Sequence, residues 1–307
     1  MARAGGMKTT TEPKAQRPFK ARPAELEDGL NRAIYHPLSR RLALILQHTP
    51  ITPNMISVTS GLSIVAAAYC YTSVPGPTGV AIGLVFHILW HIFDGTDGDL
   101  ARLTGKTSPL GEMIDGLADY IGHVVLYTAL AWHVGGWIWA AAWAAAVSRI
   151  LQANHIESVR RTYLWRAYGV PWLRQSKERV AERKGLAGLV LGSLARLYVW
   201  LAGKLIPHSA RTDMLVESLE ANSATREQVR TVSKQVGRHA LAYQAWLGPN
   251  RRTLLLVLSM ALGSPLWFFL WEATMLNLLL ILSVARQRAV NESLAAALEG
   301  DVGRSPA

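Results

Sequence analysis

Residues 93–120 read FDGTDGDLARLTGKTSPLGEMIDGLADY and place Asp94, Asp97, Asp115 and Asp119 between two long apolar stretches. Asp94 and Asp97 are three residues apart and Asp115 and Asp119 four, so on helices each pair occupies nearly one face. The short turn LTGKTSP makes those helices antiparallel neighbours, and the four carboxylates are expected to converge between them, one to two turns inside a membrane boundary. A charged side chain at mid-bilayer costs at least ~2.5 kcal/mol, so acids in such a place mark function. Like charges in low dielectric repel strongly, and divalent cations resolve that conflict. Hard oxygen ligands suit Mg²⁺, Mn²⁺ or Ca²⁺, and a Mg²⁺ shell is usually completed by phosphates, which points to a pyrophosphate-bearing substrate. Gly95, Gly98 and Gly111 leave room for a ligand against the backbone, and Arg102 supplies a fixed cation for phosphate. Asp99 alone reads as an ordinary interface residue.

The elements that must hold these acids are apolar helices. Half of the 307 residues are hydrophobic, and they gather into runs such as GVAIGLVFHILWHIF and IWAAAWAAAV with charge concentrated between them. A spanning helix needs about 20 mostly apolar residues. The expected fold is an all-α polytopic membrane protein of six transmembrane helices, preceded by an amphipathic surface helix that is interrupted near Pro37. Residues 1–24 read as a disordered basic tail, and 25–156 as the surface helix followed by spans at 51–72, 78–102, 110–132 and 137–156. A basic cytoplasmic segment follows over 157–251, with an interfacial helix near 185–206. Spans five and six occupy 252–288, and 289–307 form a tail. Six spans rather than seven put every Arg-rich loop on the cytoplasmic side. The net charge of +11 is then explained by loops facing anionic lipid rather than by nucleic acid. Cys70, the sole cysteine, excludes an internal disulfide or a thiolate metal cluster, and no cleavable signal peptide is expected.

From Asp94 to Asp119 the order is Asp, two residues, Asp-Gly, two residues, Ala-Arg, eight residues, Gly, three residues, Asp, three residues, Asp. This resembles the complete signature of the CDP-alcohol phosphotransferase (CDP-alcohol phosphatidyltransferase) family. The six-span layout, the surface helix and the TPN that opens the first span are also similar to that family. The resemblance implies a membrane enzyme of phospholipid biosynthesis, typically a homodimer, with two divalent ions (Mg²⁺ or Mn²⁺). It implies Asp94, Asp97, Asp115 and Asp119 as metal ligands, with Asp119 also the general base. Gly98, Arg102, Ser108 and Gly111 are implied at the CDP and phosphate site, with Thr52, Pro53 and Asn54 close to the nucleotide. The implied partners are a CDP-alcohol donor, a hydroxyl acceptor and membrane lipids. The implied place is the cell (inner) membrane, multi-pass, with the site facing the cytoplasm.

His87 and His91 lie one turn apart with Asp94 continuing that face, His123 follows Asp119 by one turn, and the three read as hydrogen-bonding neighbours or acceptor-pocket lining. SVRR and YLWRAYG read as a solvated, lipid-facing basic loop. Asn250, Arg251 and Arg252 lie at the mouth of the fifth span, where positive-inside anchoring explains the arginines. The tryptophans fit interfacial belts and helix packing. Two other functions use acids in membranes. An aspartate-rich prenyltransferase holds Mg²⁺-diphosphate, and DGLAD alone satisfies its pattern, but it has no need of Gly98, Ala101, Arg102 and Gly111. A cation transporter binds ions without releasing CMP.

Overall fold

The structure, a computed structural model, describes residues 23–170 and 210–302. The expected basic tail and the interfacial helix near 185–206 fall outside them, apart from Pro23 and Ala24. Every regular element among the described residues is helical. The order is α1 (His36–Leu46), α2 (Pro53–Ser73), α3 (Gly76–Thr104), α4 (Pro109–Val134), α5 (Ile138–Tyr168), α6 (Ala210–Ala221), α7 (Ser223–Gly237), α8 (Pro249–Ala261), α9 (Leu266–Ala273) and α10 (Met275–Val302). A 3₁₀ segment, Arg238–Tyr243, and one helical turn, Gln244–Leu247, link α7 to α8.

The expected break near Pro37 takes the form of a π-turn over Asn31–Tyr35, which leads directly into α1. Pro37 has no N–H, and its ring crowds the carbonyl four residues back at Ala33, so the turn before it widens instead of ending the helix. Ser39 and Ala43 of α1 are buried. Ser39 Oγ donates to the carbonyl of Ile92 at 2.7 Å, and this ties α1 to α3. A Cβ on Gly95 would stand 2.6 Å from Ser39 Oγ. Gly95 therefore serves this helix crossing and not the approach of a ligand.

Helix α2 is the central post. It packs along both α3 and α4, while α3 and α4 meet through side chains: Trp90 of α3 donates to Asp119 of α4 and lies 5.0 Å from the His123 ring. The two helices are the antiparallel neighbours that the short turn implies. That turn, closed by Gly105 at φ 67°, joins two helices that both lean on α2. The approach of α2 to α4 depends on Gly61, where a Cβ would stand 2.8 Å from the carbonyl oxygen of Ala118. Ile64, Ala67 and Tyr71 of α2 join Trp90, Leu126, Leu130, Ala142, Leu256 and Phe269 in the main core, which thus draws on α2 to α5, α8 and α9.

Of the six expected spans, three helical stretches are long and apolar enough to cross a membrane by themselves: Pro53–Ser73, Gly76–Thr104 and Leu266–Gly300. The other expected spans are helical but differ in build. Helix α4 carries Glu112, Asp115 and Asp119 in its first half, and α5 carries Arg149 near its middle. The expected fifth span stops at Ala261, the end of α8, and after Leu-Gly-Ser-Pro helix α9 opens the Leu266–Gly300 stretch.

Two boundaries move outward. Helix α5 continues three turns past residue 156, where Glu157 bonds Arg160 at 2.8 Å and Arg161 at 2.5 Å, pairs at the spacing that supports a helix. The basic loop expected there is this helix. Its Arg166 is buried, donating to Asp213 of α6 at 2.6 Å and to Asn291 of α10 at 2.7 Å. Helix α10 runs to Val302, so the expected tail from 289 is largely helix; Val290, Leu294 and Leu298 bury one side of it. Tyr163 and Tyr168, at the end of α5, donate to Glu25 Oε1 at 2.7 and 2.6 Å and pin the N-terminal segment. Burial together with that carboxylate pushes the Tyr168 phenol up to about 12.

One buried charge network locks the bundle. Glu272 of α9, with no exposed surface, accepts from Arg252 of α8 at 2.5 Å and from the Tyr127 hydroxyl of α4, and Arg149 of α5 lies 3.8 Å away. Gln152 of α5 accepts from Arg252 at 2.6 Å and donates to the Glu272 carbonyl at 3.1 Å. Anchoring to lipid is thus the wrong account of Arg252, which is buried and paired; Arg251 instead stacks on Trp246, 3.8 Å from the ring centre. Removing one partner of a buried pair leaves an uncompensated charge. Glu272→Ala is expected to cost about 3–5 kcal/mol, seen as a large drop in the unfolding temperature of the detergent-solubilised protein. A shift below 1–2 °C would show that the network is not a structural lock.

Candidate active site

The acids fall into two rungs across the gap between α3 and α4. In an antiparallel hairpin the earlier residue of one helix meets the later residue of the other, so Asp97 meets Asp115. Their carboxyls interact across that gap. Ser57 of α2 donates to Asp97 Oδ2 at 2.6 Å, and the Gly98 N–H donates to Oδ1 at 2.5 Å. Asp97 is only 5% exposed. One turn along, roughly 5 Å by helical rise, Asp94 and Asp119 line a common cavity. The four carboxylates thus lie between the two helices as two rungs. Among the described residues no three His, Cys, Asp or Glu side chains form a group placed to hold a metal ion.

The cavity has a volume of about 330 Å³ and lies between α3, α4, α5 and the start of α8. Trp90, Asp94, Asp119 and His123 form one wall; Arg149, Glu157 and Arg252 come from the other helices. Asp119 is held by side chains from two helices: Trp90 Nε1 donates to its Oδ1 at 3.1 Å, and His123 Nδ1 lies 3.1 Å from the same oxygen. His123 Nδ1 is also 2.9 Å from the Asp119 carbonyl, and Arg149 reaches His123 Nε2 at 2.7 Å.

The other two histidines point elsewhere. His91 stacks on Tyr35 of the π-turn with ring centres 4.7 Å apart and bonds Thr253 at 2.9 Å, while His87 meets the Tyr71 hydroxyl at 3.4 Å. Both are buried, and they tie α3 to the N-terminal turn, to α8 and to α2.

The remaining expected site residues cluster at the helix starts. Thr52 Oγ1 caps α2 by accepting from Met55 N at 3.4 Å, and Ser108 Oγ caps α4 by accepting from Gly111 N at 3.0 Å. Pro53 opens α2. A Cβ on Gly111 would meet Ser108 Oγ at 3.2 Å and Asn54 Oδ1 at 3.4 Å, so Asn54, Ser108 and Gly111 are together across the α2–α4 entry. Arg102 pairs with Asp99, which is buried, so the interface role expected of Asp99 is that of a partner to this guanidinium. Arg102 lies close to Gly98, where a Cβ would be 3.4 Å from its Nη1.

Four side chains of the site escape a sequence reading: Ser57, Trp90, Arg149 and Glu272. Trp90 carries the one available signal, since it lies four residues before Asp94 and a buried indole N–H requires an acceptor.

Residues 50–172 match the family model described as CDP-alcohol phosphatidyltransferase. Those residues thus read as a CDP-alcohol phosphatidyltransferase domain, in keeping with the 94–119 signature, and that family consists of membrane-bound transferases of phosphate-containing groups. Its members act on CDP-alcohols and alcohol acceptors and are generally dependent on divalent metals. No curated protein and no solved structure matches the chain.

Carboxylate oxygens are the ligand type such an ion takes. Two ionised carboxyls repel by about 4 kcal/mol at 4 Å and an effective dielectric of ~20, unless a proton or a cation lies with them. Asp115→Asn removes that repulsion and keeps the shape. It is expected to raise the unfolding temperature in chelator-containing buffer; a fall instead would identify a shared proton holding the two acids together.

Proposed function

We propose that this protein transfers a phosphatidyl or other phosphoalcohol group from a CDP-alcohol, CDP-diacylglycerol in the first instance, to an acceptor hydroxyl, releasing CMP. The observation that carries the reading is the cavity lined by Asp94 and Asp119 within the matched domain. Asp94, Asp97, Asp115 and Asp119 would hold two divalent ions, Mg²⁺ or Mn²⁺. When bound, such ions neutralise charge on the diphosphate and on the departing CMP.

The chain's own residues do the rest. Asp119 takes the proton of the acceptor hydroxyl, whose oxygen attacks the β-phosphorus of the CDP-alcohol. The new ester P–O bond forms as the bond from that phosphorus to the bridging oxygen breaks, and the electron pair leaves with CMP. Arg102, with Gly98 leaving space beside it, binds the phosphates. Asn54, Ser108 and Gly111 at the α2–α4 entry flank the cytidine end. Arg149 and Arg252 on the far side favour an acceptor that bears an anionic group, such as a phosphorylated polyol or inositol.

The same reading carries the membrane arrangement. Helices α4, α5 and α8 cross the membrane with α2, α3 and the α9–α10 stretch, the amphipathic α1 lies at the surface, and the cavity opens to the cytoplasm of a cell-membrane protein. The apolar outer face of α4, where Met113, Leu117, Ile121 and Val124 are exposed, supports its embedding. We extend the homodimer of the family resemblance to this chain, and the mass of the detergent-solubilised particle checks it.

The test is CMP release by the purified protein with Mg²⁺ or Mn²⁺, CDP-diacylglycerol and a panel of small acceptors, followed by soluble CDP-alcohols with lipid acceptors. Metal-dependent CMP release is expected with one pair, and Asp119→Asn is expected to lower turnover by at least ~100-fold while nucleotide binding persists. Near-normal turnover of Asp119→Asn would remove it from the base role. No CMP from any pair, with folded protein, would turn the reading toward prenyl diphosphates or ion flux.

A further inference from the structure

We infer that His123 is the positioning residue of Asp119, locked into one tautomer by Arg149 so that its Nδ1–H fixes the carboxylate in a single orientation. A guanidinium has donors and no acceptor, and Arg149 lies 2.7 Å from His123 Nε2. Nε2 must therefore present its lone pair, and the ring proton resides on Nδ1. Nδ1 lies 3.1 Å from Asp119 Oδ1 and 2.9 Å from the Asp119 carbonyl, so its one N–H is shared between them. The backbone bond fixes the ring against its own helix one turn away, and the side-chain bond fixes the acid.

Trp90 donates to the same Oδ1 from α3. Two donors on Oδ1 pin the plane of the carboxylate, and among the described residues Oδ2 accepts no hydrogen bond. Oδ2 is thus the oxygen presented to the reacting hydroxyl. The support extends outward: Arg149 lies 3.8 Å from Glu272, which is itself held by Arg252 and Tyr127. The chain Glu272–Arg149–His123–Asp119 joins α9 to α4 through α5, so the orientation of the acid is set by helices that contribute no carboxylate to the rungs. The trp indole lies edge-on to the His123 ring at 5.0 Å between centres, which blocks rotation of the imidazole.

The inference rests on the reading of Asp119 as the base, and its test separates the two. Nitrogen NMR of ¹⁵N-histidine-labelled protein, with the His123 signal assigned by its loss in His123→Asn, reads the tautomer without any substrate. Protonated Nδ1 and bare Nε2 are expected, with a mixture of tautomers in Arg149→Met. The opposite tautomer in the native protein overturns the inference.

Turnover is then compared by CMP release from CDP-diacylglycerol with the acceptor panel. His123→Leu, which lacks the donor, is expected to lose about 10–100-fold in kcat with little change in KM for the CDP-alcohol. His123→Asn places an amide N–H near the position of Nδ1 and is expected to recover most of that loss. Equal impairment of both variants, or native turnover in His123→Leu, refutes the positioning role even if Asp119→Asn is inactive. Should the leucine variant fail to fold, the tautomer measurement and the asparagine variant still decide. If Asp119→Asn keeps its turnover while the tautomer is as expected, it is the base reading that falls.

Discussion

The contact between Asp97 and Asp115 is the constraint to which the rest of the architecture answers. Two carboxyls facing each other among apolar helices are unfavourable unless something positive or protonated lies with them. Backbone packing of α3 on α4 is sparse and contributes little to bringing them there. The force comes from α2, which buries Ile64, Ala67 and Tyr71 and has at Gly61 the close approach that α4 needs. Ser57, on the same helix, hands a hydrogen bond directly to Asp97. One helix therefore both carries the two acid-bearing helices and relieves part of the electrostatic cost of their meeting.

The second rung is organised from the opposite side. Asp119 faces the cavity with its orientation governed by Trp90 and His123, and behind them lie two arginines sharing one glutamate. Arg149 and Arg252 also line the cavity, their charge shared with Glu272. All of these side chains stand on helices rather than loops, which suits a site that must hold its geometry while a lipid substrate enters and leaves.

The parts of this picture that the sequence reveals are those in which chemistry is local. The spacing of Asp94, Asp97, Asp115 and Asp119 and the helical character of each apolar run follow from neighbours a few residues apart. The position of the rungs does not. Three- and four-residue spacings put each pair on one face, but the antiparallel stagger that opposes Asp97 to Asp115 depends on how α2 separates the helices. In the sequence Arg252 is only a charge at the mouth of a span, and Glu272 gives no signal of its own. Their pairing, 20 residues apart along the chain, needs the break at Leu262–Pro265 that folds α9 back on α8. The same limit hid Arg149 and Ser57, whose partners are 26 and 40 residues away. The extent of α5 beyond residue 156 was hidden by its arginines, which look like a loop until Glu157 and Asp213 are seen to pair with them.

The most direct measurement is anomalous diffraction from crystals of the protein grown with Mn²⁺ and a CDP-alcohol. The account predicts manganese signal between the α3 and α4 carboxylates, with Asp97 and Asp115 among the ligands and the diphosphate completing the shell. A bound CDP-alcohol in the cavity with no metal signal at these acids would contradict it.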